Sequence, residues 1–124
     1  MEDKRLKDCI DACLNCATEC SQCMSACIRE KSGKDMSKCI LLDRECAAIC
    51  MTAAEIISIE GEHMHEICGV CAKICDSCAE ECERHSRHHD HCARCAEACR
   101  NCAEECRKMA GEGIGFKAVT KDLF

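Results

Sequence analysis

Proline, tryptophan and tyrosine are missing from this chain of 124 residues, and only two phenylalanines represent the aromatics. A core of large rings is therefore excluded, and no proline stands anywhere to break a helix. Long apolar runs are lacking too: nothing approaches the roughly 18 consecutive apolar residues of a membrane span. The opening Met-Glu-Asp-Lys-Arg-Leu holds neither the apolar stretch of an export signal nor a twin arginine. The expected location is accordingly cytoplasmic, where thiols stay reduced. Excess positive charge is also absent. A formal net charge of −6 argues against nucleic acid as a partner and suits a soluble body that attracts cations. No Ser/His/Asp set, phosphate loop or paired-carboxylate site is visible, so the expectation is a binding protein and not an enzyme.

What the chain has instead is 19 cysteines, far beyond ordinary usage. That density in a short chain means a disulfide framework if exported, or metal binding if not. An odd number leaves at least one thiol without a partner inside the chain. The thiols are periodic. Cys9, Cys13, Cys16, Cys20, Cys23 and Cys27 alternate steps of four and three. Cys68, Cys71, Cys75, Cys78 and Cys82 do the same, and so do Cys92, Cys95, Cys99, Cys102 and Cys106. Such stepping is the buried stripe of an α-helix, whereas a strand requires steps of two. A further segment, Met36, Cys39, Asp43, Cys46, Cys50, Ala53 and Ile57, keeps the register with fewer thiols.

Four helices are predicted, at about 3–31, 35–59, 62–85 and 88–110, broken at Ser32-Gly33, at Glu60-Gly61 and in the His-rich segment 86–90. Short connections force neighbours antiparallel. The predicted fold class is thus all-α: an up-down-up-down four-helix bundle over residues 1–110 with a Cys-lined core, followed by a mobile tail, 111–124. A second apolar stripe (Ile10, Leu14, Met24 and Ile28; Leu42, Ile49 and Ile56; Ile67 and Ile74) either completes the core or forms a subunit interface.

Thiols three or four residues apart on a helix lie roughly 5–6 Å apart at Cβ, close enough to clasp one ion in a near-linear arrangement. Cu(I), soft and content with few sulfur ligands, fits such a ladder. Zinc wants four ligands in a tetrahedron and would need several helices at once for each ion. Iron–sulfur clusters favour wrapping loops that are not present. Cysteine as a plain core residue, or as helical disulfide pairs, explains the pattern less well. Many Cu(I) ions per chain are therefore expected. A metallothionein-like zinc buffer and a thiol redox protein remain as alternatives.

In these three ladders, in the segment Lys38-Cys39-Ile40-Leu41-Leu42-Asp43-Arg44-Glu45-Cys46 and in the His-rich turn before Cys92, the chain resembles the cytosolic branch of the bacterial copper storage proteins over roughly residues 6–109. The resemblance implies a four-helix bundle, usually tetrameric, that holds many Cu(I) ions inside; the tail lies outside the pattern. The antiparallel order brings the turns at 31–35 and 85–91 to one end, with Met36 beside them. That end is expected to admit metal, with His85 and His89 as terminal ligands and with Met36, His88 and His91 as transient contacts. Asp43, inside a thiol stripe, is expected to ligate copper rather than pair with Arg44, because an unpaired buried carboxylate is costly. Leu6, Ile57, Met64 and Met109 should plug the opposite end, with His63 and His65 on the surface beside it.

Overall fold

The computed structural model describes residues 2–31 and 35–112. The turn expected at Ser32-Gly33 and most of the expected tail, residues 113–124, lie outside the described residues. Within them the chain forms α1 (Glu2–Ile28), α2 (Ser37–Ser58), α3 (Met64–His85) and α4 (Asp90–Glu112), with no strand. α1 packs on α2 and α4, and α3 packs on α2 and α4, so the diagonal pairs face one another across the bundle axis. This is the predicted all-α bundle.

Small side chains make the close approach possible. The core consists almost entirely of Cys and Ala, each under a tenth exposed, and every one of the 19 cysteines is buried. The flanks of that stripe differ from helix to helix. α3 and α4 are pinned by charge: Arg100 donates to both oxygens of Glu83 at 2.9 Å and to Asp76 at 3.1 Å, and Arg107 reaches Asp76 at 2.7 Å. Around α2 the flanks are apolar. Ile10, Leu42, Ile49, Ile67 and Ile74 pack half-buried against the core, completing it. Leu14 and Ile28 from the same stripe stay exposed, Ile28 at 63%.

The turns are set by local hydrogen bonds. α2 begins two residues later than predicted because Asp35 captures the start, its Oδ1 accepting from the Ser37 amide at 3.0 Å and the Ser37 hydroxyl at 2.6 Å. α2 ends in a Schellman-type closure: the Gly61 amide donates to the Ile56 carbonyl and the Glu60 amide to the Ile57 carbonyl, both at 3.0 Å. The left-handed residue is Glu60, φ 49°, and not the adjacent glycine. A Cβ on Gly61 would stand 3.1 Å from Ile56 Cγ2, so the glycine is used for close approach. At the end where α2 meets α3, Ile57 and Met109 are fully buried over half-buried Leu6 and Met64, forming the expected apolar plug. His63 is exposed and holds Glu66 at 2.9 Å. His65 differs from expectation: it is half-buried, its Nδ1 donating to the Met109 carbonyl at 2.6 Å.

Candidate metal centre

The four cysteine stripes meet on one axis. All the thiols are free, and their sulfurs approach across helices as well as along them. Along a helix, the i, i+4 pairs Cys16–Cys20, Cys71–Cys75 and Cys95–Cys99 are 3.9 Å apart. Between neighbouring helices, Cys46–Cys75 and Cys20–Cys95 are 3.6 Å apart and Cys20–Cys99 3.7 Å. Across the diagonals, Cys16–Cys75 stand at 4.0 Å, Cys46–Cys99 at 3.9 Å and Cys50–Cys102 at 3.8 Å. The result is a continuous column of sulfur rather than a series of separated pairs.

Groups of four ligand atoms, all within 4.8 Å of one another, recur along it. From the histidine end inward these include Cys23, Cys27, Cys39 and Cys92; then Cys20, Cys78, Cys95 and Cys99; then Cys16, Cys20, Cys46 and Cys99; then Cys16, Cys46, Cys50 and Cys75; then Cys13, Cys71, Cys102 and Cys106. Each draws on three helices. Cys82 joins through Cys39 at 3.8 Å, and Cys9 closes the column through Cys106 at 3.8 Å, beside Cys68.

This geometry weakens one sequence argument. A tetrahedral zinc site with bonds of about 2.3 Å needs sulfurs about 3.8 Å apart, and that spacing is present. What disfavours zinc is sharing. Cys16 and Cys46 belong to two of the groups, and so do Cys20 and Cys99. A zinc ion with four thiolates of its own leaves a double negative charge in a dry core, a costly burial, and zinc ions that share thiolates must still each complete a tetrahedron. A monovalent ion bridged by shared thiolates leaves no such charge.

Asp43 replaces a cysteine in the stripe of α2, and its side chain is fully buried. Its Oδ1 accepts from the thiols of Cys78 and Cys95 at 3.3 Å and Cys82 at 3.8 Å, while Oδ2 faces Cys39 at 3.8 Å. Arg44 is exposed and takes no part in these contacts. Burial, reinforced by the charge of Cys95 and Cys78, pushes the Asp43 carboxyl up to about 11, so the empty column holds it protonated. Burial likewise pushes the Cys27 thiol up to about 12, with the neighbouring charge of Cys39 adding to it.

At this end, the three histidines that approach the interior are placed differently. His91 touches sulfur: its Nδ1 is 3.5 Å from both Cys23 Sγ and Cys92 Sγ. Burial, and then the neighbouring His89, lowers its pKa, which favours the neutral ring. His85 Nε2 faces Glu81 Oε2 at 2.9 Å, and His89 Nδ1 faces Glu30 Oε2 at 3.0 Å. The rings still form a chain, with His85–His89 centroids at 6.5 Å and His89–His91 at 5.3 Å. Met36 is buried at the same end, while His88 is exposed. The sequence reading passed over the two carboxylates. Glu81, four residues before His85 and adjacent to Cys82, carried a usable signal in that spacing; Glu30 carried none.

Residues 2–111 match the pattern of the family described as copper storage protein. The fold matches the Cu(I)-bound copper storage protein BsCsp3 with a TM-score of 0.81 and 45% identity, over 86% of this chain and 98% of that one. It also matches a cytosolic copper storage protein from Streptomyces lividans, solved with five coppers, with a TM-score of 0.83 and 36% identity, over 87% of this chain and 93% of that one. The cysteine-rich protein YhjQ of Bacillus subtilis (strain 168) is 47% identical over 77 residues, 62% of this chain and 71% of its own.

Proposed function

The chain belongs to the copper storage protein family, and from that premise we propose how it takes up, holds and shelters copper. It stores many Cu(I) ions on thiolates inside the bundle. The observation that carries this is the shared sulfur column, with sulfur–sulfur separations of 3.6–4.0 Å along, between and across the helices.

Loading is an exchange. Each arriving Cu⁺ forms bonds to sulfur and releases the proton that the thiol carried, so charge inside hardly changes. Burial makes the first deprotonations hard unaided, as at Cys27, and copper supplies the positive charge that stabilises the thiolate. Taking the about 2.3 Å of a zinc–thiolate bond as the scale, a linear S–Cu–S unit spans about 4.5 Å. The 3.9 Å pairs along each helix need to open only slightly to accept it. All 19 cysteines serve as ligands in this reading. Asp43 joins them when Cu⁺ at its level displaces the carboxyl proton, which leaves to solvent.

Copper is admitted at the histidine end. The plug of Ile57 and Met109 supports that polarity, because these fully buried side chains cover the other end of the column. His91 delivers ions to Cys23 and Cys92. His85 and His89 receive them further out, with Met36 and His88 as passing contacts. A cytosolic role in limiting copper toxicity is supported by the likeness to the cytosolic protein of Streptomyces lividans. No helix is long and apolar enough to cross a membrane among the described residues.

Assembly into a homo-oligomer, a tetramer in the family pattern, uses the outer side of α2. Leu41 and Ile59 are exposed there at 70% and 76%, and Met51 and the Ile28 side of α1 extend the patch. Such apolar area is a docking surface. Replacing Leu41 by Glu should lower the molar mass measured by light scattering without changing copper capacity; an unchanged mass would remove this interface.

The central test is an anaerobic titration of the reduced protein with Cu(I) against a competing chelator, then with Zn²⁺. Storage requires saturation on the order of one Cu(I) per cysteine, as low-coordinate bridging allows. Saturation at one or two ions would reject it, and fuller, tighter zinc loading would favour a zinc buffer.

A further inference from the structure

We infer that Cu(I) reaches this chain as an anionic complex with small thiolates, and that the exposed cations around the histidine end receive it. The inference deepens the storage reading and rests on admission at that end.

The charge of the chain is unevenly placed. The segments that meet at the histidine end, residues 29–38 and 81–94, hold seven Lys and Arg against five Asp and Glu. Those at the plugged end, residues 2–8, 55–66 and 104–112, hold five against ten. Antiparallel helices bring two N-termini and two C-termini to each end, so the helix dipoles cancel and side chains set the sign. A chain of net charge −6 that stores a cation thus carries its positive pole where the cation is admitted.

Local contacts sharpen the contrast. Arg29, Lys31, Lys38, Arg84, Arg87 and Arg94 are all exposed. The side chains of Lys38 and Arg84 are 68% and 64% exposed and stand 3.9 Å from Glu81, while Arg94 stands 3.8 Å from Glu19. The carboxylates of this end are engaged elsewhere. Glu81 is 9% exposed and turns Oε2 to His85 at 2.9 Å, and Glu30 faces His89 at 3.0 Å. Both oxygens of Glu83 accept from Arg100 at 2.9 Å, and Asp35 accepts from Ser37. Asp90 is exposed, but the charge shown to solvent here is mainly positive. A groove of about 230 Å³ between α2 and α3 opens beside Lys38 and Arg84, with Leu42, Ser77 and Glu80 along it, which is room for a small ligand.

Such an end repels bare Cu⁺. In the presence of small thiols, however, soft Cu(I) is held by them, and an ion with two thiolate ligands carries a net negative charge. A local field of this sign concentrates an anionic ligand and speeds its arrival. Transfer is then ligand exchange. Each Cu–S bond to a column sulfur forms as one Cu–S bond to the carrier breaks, and the proton of the column thiol goes to the departing thiolate, which leaves as a thiol. Copper stays monovalent throughout.

Three Cu(I) donors with the same two-thiolate core test this, prepared with excess 3-mercaptopropionate, 2-mercaptoethanol or cysteamine. Their complexes carry three negative charges, one negative charge and one positive charge. Uptake by the reduced full chain is followed by anaerobic stopped flow. Lys38→Glu with Arg84→Glu, and separately Lys31→Glu with Arg87→Glu, should slow loading from the mercaptopropionate complex about tenfold at low salt. The mercaptoethanol complex should be slowed less and the cysteamine complex not at all, with capacity unchanged, and the differences should fade at high salt. Lys4→Glu with Lys7→Glu changes the net charge equally at the plugged end and should leave all three rates near native. Native rates in both histidine-end variants overturn the proposal and leave an acidic protein face as what these cations recognise. Equal slowing of all three donors also overturns it, because that marks a disturbed entrance. The same donor-dependent slowing in the Lys4 and Lys7 variant overturns it by making the charge of the whole molecule the cause. Admission is tested apart. If His85→Ala with His89→Ala loads at the native rate from every donor, the admission reading falls and the proposal with it. If that variant is slow while the lysine and arginine variants are native, admission stands and the proposal fails.

Discussion

Asp43 is the residue whose chemistry differs most between the empty and the filled column. In the empty protein it is a neutral acid among four thiols, with a carboxyl pushed from 3.8 up to about 11 by burial first and by the charge of Cys95 and Cys78 next. The folded state thus keeps a proton that the unfolded chain releases above its ordinary range. Stability from this group is complete below pH 3.8 and is lost as pH rises towards 11, at no more than about 1.4 kcal/mol per pH unit. Asp43→Asn removes the proton and keeps the shape. It should raise the melting temperature of the copper-free protein, by more at pH 8 than at pH 5. A gain that does not grow with pH would contradict the account. Position 43 stood out in the sequence because it interrupts a thiol stripe, and an aspartate there had to be neutral, paired or metal-bound. The histidines were less legible. Spacing placed His85 and His89 in line with the stripes, but it could not show that Glu81 and Glu30 stand beside their rings, nor that His91 turns inward onto sulfur.

At the scale of the helix, the thiol period determined nearly everything. Steps of three and four cannot be buried in any other regular structure, so the number, type and order of the elements followed from spacing alone. The ends did not follow, because caps depend on single side-chain contacts. Asp35 delays α2 through Ser37, and the left-handed closure after α2 falls on Glu60 although Gly61 was the obvious candidate. A non-glycine residue in that conformation costs roughly 1 kcal/mol. Glu60→Gly should therefore stabilise the copper-free bundle by about 0.5–1 kcal/mol in urea unfolding, the larger freedom of the unfolded chain taking back part of the gain. Gly61→Ala should act in the opposite sense, since its Cβ meets Ile56 Cγ2 at 3.1 Å. Equal stability of both variants and the parent would show that the α2–α3 turn relaxes freely.

For the molecule as a whole, the composition is explained by its cargo. The sulfurs of the empty column already stand at contact distance, 3.6–4.0 Å, so the ions add bonds to the core rather than bulk. Filling ties sulfurs of three helices together at each level. The folded column offers sulfurs of three helices to each ion at once and so holds copper more tightly than the scattered thiols of the unfolded chain; loading should therefore stabilise the fold by mass action, and the melting temperature should climb as the thiols are used. The accompanying proton count separates this from simple ion attraction. If Cu⁺ displaces thiol protons, a pH-stat titration near neutral pH should record about one proton released per copper over most of the range, and the net charge should stay near −6. If copper were held by neutral thiols and histidines, few protons would appear and the charge would move steadily positive, changing the elution of the loaded protein on anion exchange. Charge also limits what the column can hold. Positive ions stacked a few ångströms apart repel strongly in a low-dielectric interior unless each arrives with its own thiolate, so proton release well below one per copper would be incompatible with high capacity in this fold.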